Sequence, residues 1–350
     1  KSKSPPVSLH RAKVSPPTPP RGDCSRHTIQ SASRSPALAP GPPLGPRGSA
    51  RAGSSRPLLP ALLGAASLSA GEGKAPPPAQ QMPTFVDVAE ESGVDLLTLS
   101  GTPYKAYIVE STTGGTSIFD YDNDGDVDIY IVNGSRLAGF AESAAPRATL
   151  YRNDGNWRFF DVGATAGVDH AGWGMGCTAA DYNADGWLDL YLTNYGPNAL
   201  YRNGEGRFLD VAAEAGVAHA GWGSAAAFAD FDGDDDVDFY LTNYVDFDPD
   251  YTPPDSSLCR WRGLSVFCGP VGLQGAADVF YRNDGPQSSW SFSVASAEFG
   301  VADYRYYGLG ALAGDFDNDG DPDLYIANDS TPNALYRNDG GRFHDTARIS

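Results

Sequence analysis

The feature that most constrains this chain is a nine-residue acidic pattern that occurs four times, each time directly before an apolar segment. The patterns begin at Asp120, Asp181, Asp230 and Asp315, and each has an aspartate or asparagine at positions 1, 3, 5 and 9. The segments that follow, such as Asp-Leu-Tyr-Leu-Thr-Asn at 189–194, alternate and are typical of short β-strands. Four copies of one turn and strand indicate a repeat protein.

Each acidic pattern belongs to a unit of about fifty residues. The pattern and its strand are followed by Tyr-Arg-Asn at 151–153, 201–203, 281–283 and 336–338, and then by a turn and a second short strand. This arrangement is typical of a β-hairpin. With the stretch before the acidic pattern, a unit has about four strands, which is the size of a β-propeller blade.

We therefore predict an all-β fold, a β-propeller with four to five four-stranded blades over residues 84–350, with a solenoid as the alternative. The segment Phe-Val-Asp-Val at 85–88, followed by Ser-Gly-Val, matches the end of a unit whose beginning is absent. We expect the natural protein to continue into a propeller of the common seven-bladed size.

The acidic patterns predict up to four Ca²⁺ sites. Ca²⁺ takes six to eight oxygen ligands, and alternate residues of a tight loop can direct their oxygens inward together. Position 9 replaces the glutamate that closes an EF-hand loop at position 12, because position 12 is apolar here, at Ile131, Leu192, Leu241 and Ile326. Solvated acidic turns are the alternative, but carboxylates this close repel one another without a cation. Mg²⁺ fits less well, since it keeps several waters.

The predicted calcium ligands are the residues at positions 1, 3, 5, 7 and 9, with position 7 giving its backbone carbonyl. Loop three lacks the glycine at position 6 that permits a sharp turn, because Asp235 stands there, and we expect this site to be the weakest or the most distorted of the four. Loop two has the fewest charges. The four ligand sets are Asp120, Asp122, Asp124, Asp126 and Asp128 in loop one; Asp181, Asn183, Asp185, Trp187 and Asp189 in loop two; Asp230, Asp232, Asp234, Asp236 and Asp238 in loop three; and Asp315, Asp317, Asp319, Asp321 and Asp323 in loop four.

The repeats resemble the FG-GAP (VCBS-type) repeats of integrin α-subunit propellers, and more closely the secreted family of cartilage acidic protein and its bacterial UnbV/ASPIC-type relatives. The resemblance rests on D-x-D-x-D-G-x-x-D-L-Y, on N-x-L-Y-R-N-x-G-x-x-F-x-D-V and on Cys-Gly-Pro at 268–270, and covers about residues 84–350. It implies a seven-bladed propeller, Ca²⁺ in the blade hairpins, and an extracellular or periplasmic location.

Charge and composition divide the chain near residue 80. Residues 1–80 carry eleven Lys or Arg and two acidic residues, so the remainder accounts for −28 against a total net charge of −19. Such an acidic repeat region argues against nucleic acid as a partner. Residues 1–50 are a Pro/Ser/Arg-rich extension predicted to be disordered, 51–73 have the pattern of a signal peptide, too short to span a membrane, and 74–83 form a linker.

An insertion at 245–275 separates the third acidic loop from the rest of its unit. Inserted loops on a repeat scaffold often form a binding face, so its aromatic and basic residues are candidates for ligand contact. In an exported protein, Cys259 and Cys268 are expected to form a disulfide that closes this loop. The candidate ligand contacts are Tyr251, Arg260, Trp261, Arg262 and Phe267.

Three other residues recur or stand out. His170 and His219 occupy equivalent places before Ala-Gly-Trp-Gly and are interpreted as a repeated structural turn rather than a catalytic pair. Cys177 is interpreted as a buried small residue.

The pattern as a whole favours an exported, non-enzymatic Ca²⁺-binding protein that mediates adhesion or binds an extracellular protein or glycan. A polysaccharide lyase or hydrolase built on the propeller is one alternative, and a passive matrix component is another. We find no nucleophile elbow, P-loop, dinucleotide fingerprint or zincin helix in the sequence.

Overall fold

Four groups of four antiparallel strands follow one another along the chain in a computed structural model that describes residues 84–103, 105–138, 145–250, 259–266, 269–270, 272–301 and 304–347. We call these groups blades one to four. Blades one and four are separate sheets, whereas blades two and three are joined into one eight-stranded sheet where residues 195–197 pair with residues 220–222. Blade one contains β1 (Thr116–Phe119), β2 (Asp128–Ile131), β3 (Thr149–Asn153) and β4 (Phe159–Asp161). Blade two contains β5 (Gly174–Ala180), β6 (Asp189–Pro197), β7 (Ala199–Gly204) and β8 (Arg207–Asp210).

Blade three is interrupted by the insertion. It contains β9 (Ala220–Ala229), β10 (Asp238–Asn243), β13 (Val279–Asn283) and β14 (Phe292–Val294), while β11 (Cys259–Trp261) and β12 (Leu264–Val266) form a separate hairpin between β10 and β13. Blade four contains β15 (Gly308–Gly314), β16 (Asp323–Asn328), β17 (Ala334–Asn338) and β18 (Phe343–Asp345). The prediction of an all-β fold with four-stranded, propeller-type blades is confirmed.

In every blade the acidic loop connects the first strand to the second, and the second strand begins at position 9 of that loop. In blade one, for example, Phe119 at the end of β1 pairs with Asp128 at the start of β2. The Tyr-Arg-Asn segment then forms the third strand, and the Phe-containing strand after the turn pairs with it. The sequence repeat therefore predicts the order of strands within a blade.

Apolar side chains fill the spaces between successive blades. One buried cluster lies between blades one and two around Tyr130 and Leu190, a second between blades two and three around Tyr191 and Phe239, and a third between blades three and four around Phe280. Burial between the blades, rather than within one sheet, supplies the core, because a single four-stranded sheet cannot cover its own apolar faces.

The first strands of neighbouring blades lie side by side, and glycine allows their close approach. A Cβ on Gly115 would stand 2.5 Å from Gly176 Cα, and one on Gly176 would stand 2.7 Å from Ser224 O. Glycine therefore lets the first strands of blades one to three approach closely, and an acidic loop follows at the end of each.

Short helical turns lie between the strands. Helix α1 (Ala89–Ser92) and helix α2 (Gly163–Ala166) each end at a glycine with positive φ, and 3₁₀ turns occur at Ile108–Ser111 and Pro286–Ser288. Of these, α2 connects blades one and two, while the other three precede blade one or lie within blade three. A Cβ on Gly93 would stand 2.7 Å from Phe159 O, and one on Gly167 would stand 2.9 Å from Phe208 O. The Ser-Gly-Val segment thus packs on blade one as the end of blade one packs on blade two, which agrees with its interpretation as the end of a unit. Residues 84–88 form no strand.

Several predictions fall on residues outside those described. They concern the extension 1–50, the signal peptide 51–73 and the linker 74–83, and also Tyr251, Phe267 and Cys268, so that the Cys259–Cys268 disulfide stays a prediction.

None of the helices in the described ranges has the length and apolar character needed to cross a membrane.

Candidate metal sites

The aspartate at position 1 shapes each acidic loop by accepting hydrogen bonds from its backbone. In loop one, the Asp124 and Gly125 N–H groups donate to Asp120 Oδ1 and Oδ2 at 3.2 and 2.9 Å. Corresponding bonds are accepted by Asp181, Asp230 and Asp315. The first carboxylate therefore folds the loop back over its own start.

Two positions in each loop adopt the left-handed conformation. At position 6, φ is 94° at Gly125, 87° at Gly186, 72° at Asp235 and 104° at Gly320. At position 4, φ is 57° at Asn123, 54° at Ala184, 75° at Gly233 and 64° at Asn318. The turn at position 6 was expected from the sequence, whereas the turn at position 4 was missed, although Asn and Gly at three of these positions were a signal for it.

The carboxylate at position 9 is buried and is fixed by two backbone N–H groups. Asp128 accepts from Tyr121 N at 2.9 Å and from Asn153 N at 2.8 Å. Its counterparts make the same two bonds and are exposed by at most 2% of their surface: Asp189, Asp238 and Asp323. Each of these carboxylates ties the start of its loop to the third strand of the same blade.

Burial of these carboxylates makes their charged form costly. Desolvation raises the pKa of Asp128 to about 6, of Asp189 to about 7 and of Asp238 to about 8, although the two backbone N–H bonds lower each value. Neighbouring loop aspartates raise them further by repulsion. A cation beside these groups would favour their charged form.

Carboxylate oxygens converge in three of the four loops. In each of these loops, three aspartates place one carboxylate oxygen each within 4.8 Å of one another. The three groups are Asp120, Asp122 and Asp128; Asp230, Asp232 and Asp234; and Asp315, Asp317 and Asp323. Asp122 Oδ1 and Asp232 Oδ1 are buried without a hydrogen-bond partner in the described part of the chain. A buried carboxylate oxygen without a donor is unfavourable, so a cation is the partner that suits these two atoms.

The residues present fit a hard divalent cation. Their donors are oxygens only, from several carboxylates in a glycine-containing loop, which suits Ca²⁺ better than Mg²⁺. In loop four the side chain of Asp321, at position 7, accepts a hydrogen bond from Gly340 N at 2.9 Å. The backbone carbonyl of this residue, rather than its side chain, therefore fits as the ligand. The predicted ligands would supply charge neutralisation and a link between the two ends of each loop.

Loop two differs in the way the sequence indicates. Asn183 stands at position 3, and its side chain both accepts from Asp185 N at 3.1 Å and donates to Asp185 Oδ2 at 3.0 Å. An amide therefore takes the place of one repelling carboxylate, and it donates to the carboxylate at position 5.

Asparagine side chains link each of the first three loops to the next blade, a role that the sequence analysis missed. Asn203 of blade two donates from Nδ2 to Tyr121 O, at position 2 of loop one, at 2.8 Å. Asn283 donates likewise to Tyr182 O at 2.9 Å, and Asn338 to Phe231 O at 2.8 Å. All three asparagines are at most 1% exposed. The signal was their recurrence after Tyr-Arg in every copy.

The predicted ligand face is only partly described. Arg260 and Arg262 are exposed on the β11–β12 hairpin, where Arg260 Nη1 donates to Gly263 O at 3.3 Å, and Trp261 lies between them on β11. Residues 245–247, at the start of the insertion, border an open cavity of about 600 Å³. Three aromatic rings in mutual contact line the cavity, those of Tyr195, Trp222 and Phe247. The polar groups along its wall include His219, Asp246 and Arg305.

The two histidines make equivalent backbone bonds in successive units. His170 N donates to Val168 O and His219 N to Val217 O, both at 2.8 Å. His170 Nδ1 also lies 3.0 Å from Tyr201 Oη. This geometry agrees with the interpretation of a repeated structural turn. Cys177 is a free thiol on β5, packed against the core between blades one and two.

The repeats match a known family model. The model for the FG-GAP-like repeat matches residues 120–192, 181–241 and 315–350, so each match includes at least one of the acidic loops. The resemblance predicted from the sequence is confirmed at the level of the repeats.

Curated relatives and solved structures give more distant similarities. Cartilage acidic protein 1 of Mus musculus is 26% identical over 250 residues, covering 63% of this chain and 32% of the relative, and the Homo sapiens protein is 25% identical over 250 residues, covering 63% and 31%. The chain thus spans about a third of the length of these relatives.

Among solved structures, an Agrocybe aegerita lectin that recognises non-reducing terminal N-acetylglucosamine has a TM-score of 0.35 at 15% identity, with 66% of this chain and 51% of the lectin covered. The V. cholerae biofilm matrix protein Bap1 has a TM-score of 0.32 at 15% identity, with 66% and 30% covered.

Proposed function

We propose that this chain, whose blades are FG-GAP-like repeats, is an exported Ca²⁺-binding protein that mediates adhesion by binding an extracellular protein or glycan. The ions are structural and bind one to each acidic loop, where they neutralise the loop and hold its two ends together. The chain carries no catalytic role in this proposal.

The observation that supports calcium binding is the convergence of carboxylate oxygens around buried atoms that have no hydrogen-bond donor. Asp122 Oδ1 in loop one and Asp232 Oδ1 in loop three are the clearest instances. Like charges at this spacing destabilise a loop strongly in the absence of a cation. The net charge of −28 on residues 81–350 adds to this repulsion.

The cavity beside the insertion supports a binding role. Its aromatic rings offer apolar surface, while His219, Asp246 and Arg305 offer both donors and acceptors along its wall. A concave site with apolar walls and a few polar groups is the usual form of a ligand site. We place the ligand contact there, at the base of the insertion, and extend it to Arg260 and Arg262.

Calcium binding is tested by calorimetric titration and by thermal unfolding with and without EDTA. We expect four ions per chain, and a marked fall in melting temperature in EDTA, because an ion that binds only the folded state stabilises it by about 2.7 kcal/mol per site at a concentration of 100 Kd. Asp122→Ala removes a ligand that holds no hydrogen bond at Oδ1, and should lower the count to three. An unchanged melt in EDTA contradicts structural calcium.

Ligand binding is tested with glycan and matrix-protein arrays probed by the full chain in Ca²⁺. We expect binding that is lost in the Phe247→Ala variant, which opens the cavity wall, and retained in Trp157→Ala, which removes an exposed aromatic ring on blade one. Binding that is equally sensitive to both variants would place the ligand elsewhere.

A further inference from the structure

We propose that the four acidic loops bind Ca²⁺ cooperatively because buried asparagines, Asn203, Asn283 and Asn338, connect each loop to the next. The inference rests on the proposed calcium binding and adds to it a coupling between sites. These asparagines act as positioning residues, since they hold the backbone and carboxylates of the loops rather than the ion.

A continuous series of hydrogen bonds supports this proposal. Between loops two and three it begins at Asp189, whose Oδ2 accepts from Tyr182 N at 3.2 Å. Tyr182 O accepts from Asn283 Nδ2 at 2.9 Å, and Asn283 N donates to Asp238 Oδ1 at 2.8 Å. Asn283 thus joins position 2 of loop two to the position-9 carboxylate of loop three.

The same series runs through the other interfaces. Between loops one and two it passes from Asp128 through Tyr121 and Asn203 to Asp189, and between loops three and four from Asp238 through Phe231 and Asn338 to Asp323. Every carboxylate and asparagine in it is at most 2% exposed. Water therefore competes little for these bonds, which strengthens them and makes their geometry mutually dependent.

Each asparagine is held at three points, so it cannot adjust to one loop without affecting the other. Besides the bonds above, Asn283 Nδ2 donates to Val237 O at 3.2 Å and Asn283 Oδ1 accepts from Gly285 N at 3.1 Å. Val237 is position 8 of loop three. One side chain therefore touches the backbone of both loops.

The expected sign of the coupling is positive. Tyr182 lies between the ligands Asp181 and Asn183, so an ion in loop two fixes the peptide that Asn283 binds. A fixed Asn283 holds Asp238, so loop three loses less conformational freedom when its own ion binds. Linkage requires that loop three act on loop two by the same factor.

Two other routes could couple the loops. Ions neutralise neighbouring acidic loops through space, but this effect falls with salt, since the Debye length is about 10 Å at 0.1 M. Asn123 Nδ2 in loop one also donates to Gly186 O in loop two at 3.2 Å. Position 4 is Ala184 in loop two and Gly233 in loop three, and neither has a side chain that can donate to the other loop. The pair of loops two and three therefore tests the effect of the buried Asn283 without this second contact.

The chain carries a reporter for loop two. Trp187 is position 7 of that loop, so Tb³⁺, a luminescent ion with the oxygen preference of Ca²⁺, should be sensitised by its indole when it occupies the loop. The luminescence that disappears in Trp187→Phe defines the loop-two signal. The occupancy of one site can then be followed in a chain with four.

The experiment is a double-mutant cycle in the full chain at 0.5 M NaCl, with Tb³⁺ titrated into loop two. Loop three is disabled by Asp232→Ala, and the link is removed by Asn283→Ala. We expect Asp232→Ala to weaken Tb³⁺ at loop two by about fivefold or more, the lower end of usual coupling factors, and to have no such effect in the Asn283→Ala background. If Asn283 only stabilised the fold, Asn283→Ala would weaken Tb³⁺ binding at loop two by the same factor with and without Asp232→Ala.

The matched control is Asn153→Ala. Asn153 makes the same bonds within its own blade: its side chain donates to Val127 O at 3.1 Å and accepts from Gly155 N at 3.0 Å. Among the described residues, it donates to no loop of another blade. It should leave the coupling between loops two and three unchanged. If Asn283→Ala does not fold, Asn203→Ala with loop one disabled by Asp122→Ala gives a second cycle, in which the Asn123 contact should preserve part of the coupling.

The outcomes separate the two proposals. Absence of Tb³⁺ and Ca²⁺ binding overturns calcium binding itself. Binding at loop two that is indifferent to Asp232→Ala, or a coupling that persists unchanged in Asn283→Ala, overturns the asparagine connection and leaves calcium binding intact.

Discussion

The first three acidic loops and the fourth have nearly the same sequence but different surroundings. The aromatic residue at position 2 is 6% exposed at Tyr121, 4% at Tyr182 and 1% at Phe231, but 46% at Phe316. Each of the first three rings packs against a phenylalanine of the next blade, as Phe231 does against Phe343 with ring centroids 5.5 Å apart. No described residue plays that part for Phe316.

The second strands show the same difference. Tyr130, Tyr191 and Tyr240 are at most 1% exposed, whereas the equivalent Tyr325 of blade four is 36% exposed. The comparison teaches that a loop and its strand acquire their buried environment from the following blade. Local sequence sets the shape of a loop and the hydrogen bonds within its own blade, and the neighbour sets the burial of the position-2 ring and supplies the bond from the asparagine.

The largest expected effect comes from truncating the position-2 ring. Phe231→Ala should lower the free energy of unfolding by about 3–5 kcal/mol, since it leaves a cavity between blades three and four, whereas Phe316→Ala should lower it by about 1 kcal/mol or less. Urea unfolding in saturating Ca²⁺ measures both. Equal losses for the two variants would show that the ring stabilises its own loop rather than the interface.

The dependence of stability on pH should be the next largest effect, and it concerns the buried carboxyls of the first three loops. Their folded pKa values, about 6 for Asp128, 7 for Asp189 and 8 for Asp238, lie above the ordinary aspartate value of 3.8. Between these limits the folded state binds more protons than the unfolded state, so stability falls as pH rises. In EDTA we expect a fall of at least about 1.4 kcal/mol, the equivalent of one pKa unit, between pH 5 and pH 8.

Calcium should reverse this slope, because the ion needs the charged carboxylates that low pH removes. The control is Asp238→Asn, which takes out the carboxyl with the highest of these three pKa values and should flatten the profile measured in EDTA. A calcium-free profile that rises from pH 5 to pH 8 would mean that these carboxyls are stabilised as anions without a metal.

The sequence predicts the parts of this fold that depend on local pattern. Acidic position 1 and the apolar strand after position 9 recur in all four copies, and the glycine at position 6 recurs in three of them, so strand order and loop shape follow from one unit. The turn at position 4 is harder to find, because Ala184 has no intrinsic preference for positive φ and adopts 54° only within the loop.

The parts that the sequence does not predict depend on contacts between blades. Asn203, Asn283 and Asn338 donate to backbone carbonyls 82, 101 and 107 residues away, and a carbonyl leaves no mark in the sequence. The cavity is a similar case. The start of the insertion borders it, whereas Tyr195 and Trp222 reach it from the neighbouring strands β6 and β9.

The smallest expected effect on stability concerns loops one to three, whose position-2 rings are buried by the next blade. Among these loops only loop three has a charged residue at position 6. Asp235 adopts a φ of 72°, and glycine takes this conformation more easily. Asp235→Gly should therefore raise the free energy of unfolding by about 0.5–1 kcal/mol, part of the gain being offset by the greater freedom of glycine in the unfolded chain. Urea unfolding in Ca²⁺ measures the change.

Two controls divide this gain between backbone and charge. Asp235→Asn removes the charge while keeping a residue that tolerates positive φ, and Ala184→Gly relieves a φ of 54° in loop two without changing any charge. If backbone strain is the cause, Ala184→Gly stabilises as Asp235→Gly does and Asp235→Asn changes little. If only the two Asp235 variants stabilise, repulsion between Asp235 and the other loop carboxylates destabilises the loop more than backbone strain does, and the gain should then shrink as Ca²⁺ saturates the loop.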